Sequence, residues 1–366
     1  MNNIKKLGLT ALAGSLVSLG SATAGEMSVS GSINTTLKFG QHTTASPNNN
    51  TSRSLGADRD VTFSGGGELD NGTTFSMSTT LLDSMALSAS TTTITTPSMG
   101  SFQLGASTAS ASGKYDEEVP QAYEQVSDAK QTSANQVGDF MDNNYVMYTS
   151  PTLDVAGASI TAHVGYSPQA SDGAVGDGGT VEYSETYGSG KEAGVTISYD
   201  ALTLGFYGAE RENKTPVASG NDAVSDEFNG AWYAKYSFGP VSIGYSETYL
   251  DAGLTQTGTV SINTAKAERT AGGLFEDEQM SIAFNVNDNM SISYTTADST
   301  YDAQDDKSGS AVTTDDDVTE SIDAIQVAYS MGGMSIKAYN MEVTNPDHDD
   351  NAADRSVTEI ALGFAF

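Results

Sequence analysis

The sequence predicts an all-β chain: a transmembrane, antiparallel, up-and-down β-barrel of about sixteen strands. Three observations predict it. Apolar and polar residues alternate with period two in segment after segment, from residue 26 to the C-terminus. The connections are tight at one end of these segments and mostly long, polar and acidic at the other. No apolar run reaches the roughly 18 residues that a membrane helix needs.

The chain opens with an export signal. Lys5 and Lys6 precede an apolar stretch from Leu7 to Leu19, and Ala22-Thr23-Ala24 is a small-x-small cleavage pattern. That stretch is too short to cross a hydrocarbon core about 30 Å thick. Residues 1–24 are therefore expected to be a signal peptide, and 25–366 a single barrel domain.

The alternation is plain in Met27 to Phe39. Met27, Val29, Gly31, Ile33, Thr35, Leu37 and Phe39 share one face; Ser28, Ser30, Ser32, Asn34, Thr36 and Lys38 share the other. Sixteen such segments lie near 26–39, 58–69, 73–82, 86–96, 101–107, 144–151, 158–166, 191–199, 202–209, 229–238, 241–249, 277–286, 290–297, 321–331, 334–342 and 356–366. The phase is ambiguous in 86–96 and in 144–151, where Tyr145 with Met147 and Val146 with Tyr148 fit equally well. Asp70-Asn71-Gly72, Asp200-Ala201, Gly239-Pro240, Asn287 to Asn289 and Gly332-Gly333 are tight turns with the residues such turns require. The opposite connections are 40–57, 108–143, 167–190, 210–228, 250–276, 298–320 and 343–355, with 83–85 the short one. A soluble β-sandwich also alternates, but it gives no reason for short loops at one end only. In lipid an open sheet edge would leave backbone groups unpaired, which favours closure.

Charge and composition exclude several functions. Lys and Arg total 16 against 47 Asp and Glu, a net charge of -31. Without Lys5 and Lys6, 14 bases remain. A polyanion of this kind does not bind nucleic acid through its phosphates. Zero Cys excludes disulfides and a Cys nucleophile, and three scattered His leave little for a His-based metal centre.

Three stretches resemble the Gram-negative general porins, the 16-stranded trimeric outer-membrane channels. Val61 to Gly72 (VTFSGGGELDNG) is similar to that family's strand 2, turn and strand 3. Asp142 to Pro151 (DNNYVMYTSP) resembles the strand leaving its constriction loop, and Phe366 closes a last strand with an aromatic terminus. Two features depart from the family. The loop near Asp83 and Ser84 is too short to be a latch onto a neighbouring subunit, and the chain has only five Arg where the family often stacks several along the pore.

The resemblance implies a homotrimer in the outer membrane, among its lipids, inserted by the barrel-assembly machinery. The insertion signal would be the last strand: Ile360, Leu362, Phe364 and Phe366. It implies a water-filled channel for small hydrophilic solutes and ions, with no enzyme activity and no cofactor. The 108–143 loop would fold inward and narrow the pore, with a short helix over Val119–Ala129 and the acids Asp116, Glu117, Glu118, Glu124 and Asp128. Facing it, inward-phase bases would be Lys38, Lys235 and Lys337, with Arg59 at a strand start. Acids outnumber these bases, so a cation-preferring channel is expected. Small outward residues early in the chain (Gly31, Thr35, Gly65, Gly67, Thr79, Ala106) point to the subunit contact there. The outer-loop acids Asp305, Asp306, Asp315, Asp316 and Asp317, and Asp347, Asp349, Asp350 and Asp354, suit Ca²⁺ or Mg²⁺ by chemistry, yet match no calcium-loop spacing. Solvated acidic loops are the plainer reading. An outer-membrane barrel enzyme needs an acid–base or nucleophile group that the sequence does not show. A surface adhesin needs aromatic outer loops, whereas these are rich in Gly, Ser and Asp.

Overall fold

A computed structural model describes residues 26–42, 51–82, 84–106, 110–129, 141, 144–170, 187–214, 223–224, 226–251, 254–255, 273–303 and 317–366. The 1–24 segment and Asp305, Asp306, Asp315 and Asp316 lie outside the described residues.

Sixteen strands make one antiparallel sheet. They are β1 (Glu26–His42), β2 (Thr51–Glu68), β3 (Thr74–Leu81), β4 (Leu87–Thr96), β5 (Gly100–Ala106), β6 in two pieces (Tyr145–Thr149 and Leu153–Val155), β7 (Ala158–Ser167), β8 (Tyr187–Tyr199), β9 (Leu202–Asn213), β10 (Glu227–Phe238), β11 (Val241–Asp251), β12 (Gly273–Asn287), β13 (Met290–Ala303), β14 (Val318–Met331), β15 (Met334–Thr344) and β16 (Arg355–Ala365). Each pairs with the next. β1 also pairs with β16, Ile33 opposite Phe364 and Leu37 opposite Ile360, so the sheet closes into a barrel. β6 is interrupted at Pro151, which has no N–H to give to a ladder, and both its pieces pair with β7. No α-helix occurs among the described residues.

The expected alternation is the barrel's inside and outside. Val61, Phe63, Ile243, Ile282, Phe284, Ile325 and Ile360 stand exposed on the outer face, making the apolar band that a lipid-facing wall requires. At the long-loop end this band gives way to carboxylates, and aromatic side chains mark the change. Trp232 Nε1 donates to Glu247 at 2.7 Å, and the Tyr245 and Tyr294 hydroxyls donate to Glu247 and Asp323 at 2.5 Å each. Rings with one apolar side and one wet tip belong at such a boundary.

The structure differs from expectation in four places. The 40–57 connection is mostly strand: β1 and β2 pair up to Gln41 opposite Thr51. The ambiguous phase of 144–151 resolves with Tyr145 and Met147 inward, 2% and 3% exposed, and Val146 outward. Both faces of this strand are apolar because its inner face packs on Ala111, Met141 and Ala170, so periodicity had no contrast to detect. The inner wall is polar on β1–β5, but farther round it carries a second apolar cluster of Ile322, Ala324, Met341, Val343 and Val357 with Tyr123 and Val126. Lastly, Gly31 is small for an internal reason. A Cβ there would lie 2.8 Å from the Phe366 ring, and the two residues exchange backbone hydrogen bonds of 2.8 and 3.0 Å.

Candidate functional site

Within the 108–143 connection, residues 110–129 lie inside the barrel, pinned to the inner wall from β7 round to β16. Three sets of contacts hold them. At the start, Ser110 Oγ and the Ala111 N–H donate to Glu192 of β8 at 2.9 and 3.0 Å, and the Tyr207 hydroxyl of β9 donates to the same carboxylate at 2.9 Å. Tyr115 then stacks on Tyr207 with ring centroids 5.2 Å apart and meets His163 edge-on at 6.1 Å. Gly194 makes room for it: a Cβ there would fall 2.5 Å from the Tyr115 ring.

In the middle, Glu117 staples the loop to itself and to the wall. It is 3% exposed and has left-handed backbone, φ 44°. Its carboxylate accepts from the Val126 N–H at 2.9 Å, from Gln279 Nε2 of β12 at 2.8 Å and from the Ser127 hydroxyl. Pro120 sits over Gly244, where a Cβ would be 2.5 Å away, and its carbonyl accepts from the Ser281 hydroxyl at 2.7 Å.

At the far end the backbone is zipped to side chains of the wall. The Ala122 N–H donates to Ser293 Oγ at 2.9 Å, the Tyr123 N–H donates to Gln326 Oε1 at 2.8 Å, and Gln326 Nε2 donates to the Glu124 carbonyl at 2.7 Å. The Tyr123 hydroxyl donates to Glu359 of β16 at 2.8 Å. Burial, then the Glu124 and Glu359 carboxylates, push this phenol well above its usual range, so it stays a donor. With these bonds the stretch expected to be a helix, Val119–Ala129, is instead irregular, bent chain ending in a 3₁₀ turn, Val126–Ala129. The Tyr123 N–H, which such a helix would use internally, is taken by Gln326 of the wall.

The expected bases stand elsewhere than across the gap. Lys235 of β10 is ion-paired with Glu118 of the loop. Lys38 pairs with Glu359 at 3.0 Å and lies over the Tyr339 ring. Lys337 lies 5.0 Å from the centre of the Tyr123 ring, within electrostatic reach of Glu124. The loop therefore lies on the wall that carries two of the bases and neutralises charge there. Arg59 is not a lumen residue: it is directly opposite Ile33, on the outward face with Val61 and Phe63. Among the acids, Glu117 is a buried clamp, Glu118 is paired, and Asp116 and Glu124 are partly exposed. The Asp128 side chain lies outside the described residues.

Opposite the loop, the inner wall of β2–β5 is Ser, Thr and Gln with Asp58, Asp60 and Glu68, and it carries no Lys or Arg. His163 is inward and buried, its Nδ1 3.1 Å from Thr149 Oγ1, a packing position behind Tyr115. Among the described residues no three His, Asp or Glu are placed to hold a metal ion; Asp349 is engaged with the Asn351 N–H at 2.9 Å. Sequence reasoning missed Glu192, Gln279, Gln326 and Glu359, which anchor the loop. Their signal was faint: single long polar side chains at inward phase, some beside an inward Gly, as Glu192 is flanked by Gly190 and Gly194.

No protein-family model matches the sequence, and no curated protein matches it. Solved structures do. An anion-selective porin from Comamonas acidovorans superposes with TM-score 0.64 at 12% identity, covering 93% of this chain and 99% of that one. The fold is that of the 16-stranded porins. Salmonella typhi OmpF, solved with daunomycin, gives TM-score 0.61 at 12% identity, covering 93% of this chain and 97% of its own. OmpT of Vibrio cholerae, an outer membrane protein solved in a trimer form, gives 0.56 at 14%, covering 94% and 100%. In this fold the stretch 110–129 lies inside the barrel against the inner wall.

Proposed function

We propose that the protein is an outer-membrane diffusion channel for small hydrophilic solutes and inorganic ions, without enzyme activity, assembled as a homotrimer and preferring cations. A closed barrel of this strand number is wide enough for an aqueous passage, and its apolar exterior suits a bilayer. One observation carries the cation preference. The inward-facing Lys38 and Lys235 are ion-paired and Lys337 lies over the Tyr123 ring, while the facing wall of β2–β5 offers hydroxyls and carboxylates without a base. Fixed negative charge at a narrow aqueous passage raises the local concentration of counter-cations. The fold does not carry selectivity with it, since one of the similar structures is an anion-selective porin. The trimer reading rests on the fold and on the trimer form of the Vibrio protein. Residues 1–24 would direct export, and the β16 side chains Ile360, Leu362 and Phe364, with Phe366, would be read by the insertion machinery. The test is single-channel recording in a planar bilayer: stepwise, ohmic conductance with a reversal potential of cation-selective sign is expected, and a non-conducting barrel would refute the reading.

A further inference from the structure

Two buried acceptors on β12 lack a donor. Asp277 and Gln279 are 2% and 1% exposed, at successive inward positions about 7 Å apart along the strand. Asp277 Oδ2 accepts from the Thr248 hydroxyl of β11 at 2.9 Å. Asp277 Oδ1 and Gln279 Oε1 have no hydrogen-bond partner among the described residues, although buried polar atoms are normally paired. The gap falls where residues 110–129 are stapled to the wall. An amide has a donor end and an acceptor end. Gln279 gives its donor end to Glu117 at 2.8 Å, so only another donor can serve its carbonyl.

The surroundings of Asp277 carry charge of its own sign. Across the sheet it faces Thr248 of β11 and Ser299 of β13, and Glu320 of β14 stands opposite Ser299 in the same row. Glu117 reaches it from the inner loop. His348 lies behind Ser299, its Nε2 3.0 Å from the Ser299 hydroxyl and its ring against Phe275 and Tyr301. β11–β14 contain no Lys or Arg. Arg355 of β16, opposite the inward Val343, is the base on the far side of Glu320.

This end of β12 stands above the bilayer. Asp277 lies beyond Met280, which is directly opposite the boundary residue Tyr245, and its neighbours on the outer face are Glu276 and Glu278. Burial drives the Asp277 carboxyl well above the usual carboxylate range; the Ser299 and Thr248 hydroxyls draw it back, and the Glu117 and Glu320 charges raise it further.

We propose that Asp277 is a neutral carboxylic acid and a positioning residue: its Oδ1–H donates to Gln279 Oε1 and so holds the Gln279 amide toward Glu117. One proton then serves both acceptors. Its loss puts a further negative charge beside Glu117 and Glu320, and makes Asp277 a competitor for the Gln279 donor that Glu117 takes. The staple on residues 110–129 therefore contains a proton-dependent bond, weakened as the pH rises. This goes beyond the channel reading, since it concerns the protonation of one side chain whether or not the barrel conducts.

The experiment is infrared difference spectroscopy of the purified full-length parent against Asp277→Asn, at neutral pH and then into alkaline buffer. The parent should show the carbonyl band of a protonated carboxyl group that the variant lacks, and should lose it as the pH rises. Planar-bilayer recording gives a second readout. Parent traces should be quiet at neutral pH and turn noisy, with frequent sub-states, in alkaline buffer. Asp277→Asn supplies a donor at every pH and should stay quiet throughout, whereas Asp277→Ala supplies none and should be noisy at neutral pH. Heat-modifiable migration verifies that each variant forms a closed barrel. A parent without the band, a quiet Asp277→Ala, or alkaline noise equal in the parent and Asp277→Asn overturns the proposal. Noise in the parent on adding a chelator at neutral pH assigns the two acceptors to a metal ion and overturns it too. A barrel that does not conduct refutes the channel reading and leaves the infrared test of Asp277 to decide.

Discussion

At the scale of single residues, Glu117 and Glu118 are neighbours with opposite duties. Glu117 is enclosed by Val126, Ser127 and Gln279, whereas Glu118 is partly exposed and balanced by Lys235. Removing one partner of a buried hydrogen bond leaves the other unsatisfied, at about 1–3 kcal/mol each. Glu117→Ala should therefore loosen the loop: single-channel traces should become noisy, with frequent sub-states, and parent-like traces would refute the clamp. Its effect on selectivity should be small. Glu118→Gln and Lys235→Gln act the other way. The first leaves an uncompensated base in the lumen and should move the reversal potential toward chloride; the second frees a carboxylate and should move it further toward potassium. Equal reversal potentials in the two variants would show that this pair lies away from the ion path. Such roles could not be read from sequence. Both residues are acids in one loop, and what separates them is which wall residue each one meets.

At the scale of elements, strands were far more legible than the loop. Period two located all sixteen barrel strands, since alternate burial is a property of each strand alone, but not the short pair Ala223–Val224 and Leu254–Thr255 in the long connections. Strand ends were misjudged where polar residues continue as sheet above the membrane, as in β2 from Thr51 and β12 from Gly273. The loop's path depends on pairs distant in sequence, such as Tyr123 with Glu359, so no local pattern announced it. Two elements yield tests. Gly244→Leu should displace Pro120 from the wall and push the loop into the passage, lowering single-channel conductance with little change in barrel stability; unchanged conductance would refute the seat. Deleting Phe366 removes its two backbone bonds to Gly31 and the ring that Gly31 accommodates. Gly31→Val should mimic the deletion by clashing with that ring, and both should cut the yield of heat-modifiable barrel sharply. Insertion as efficient as the parent's would show that this closure is dispensable.

At the scale of the whole molecule, the chain is a polyanion in which Lys38 and Lys235 of the inner wall are ion-paired with carboxylates. Its outer loops add acidic charge at the mouth, but screening limits their reach: the Debye length is about 10 Å at 0.1 M salt. The passage beside residues 110–129 should therefore decide selectivity. Composition alone led to the same proposal by a coarser route. It counted acids against bases, whereas the structure pairs Lys38 and Lys235 and places Arg59 outside the lumen. The central claim is a cation-preferring aqueous channel. It is tested most directly by the reversal potential of the purified protein in a planar bilayer under a potassium chloride gradient. The account predicts stepwise conductance with the sign of a potassium-selective pore. A chloride-selective channel would contradict it and make the inner-wall lysines the controlling groups.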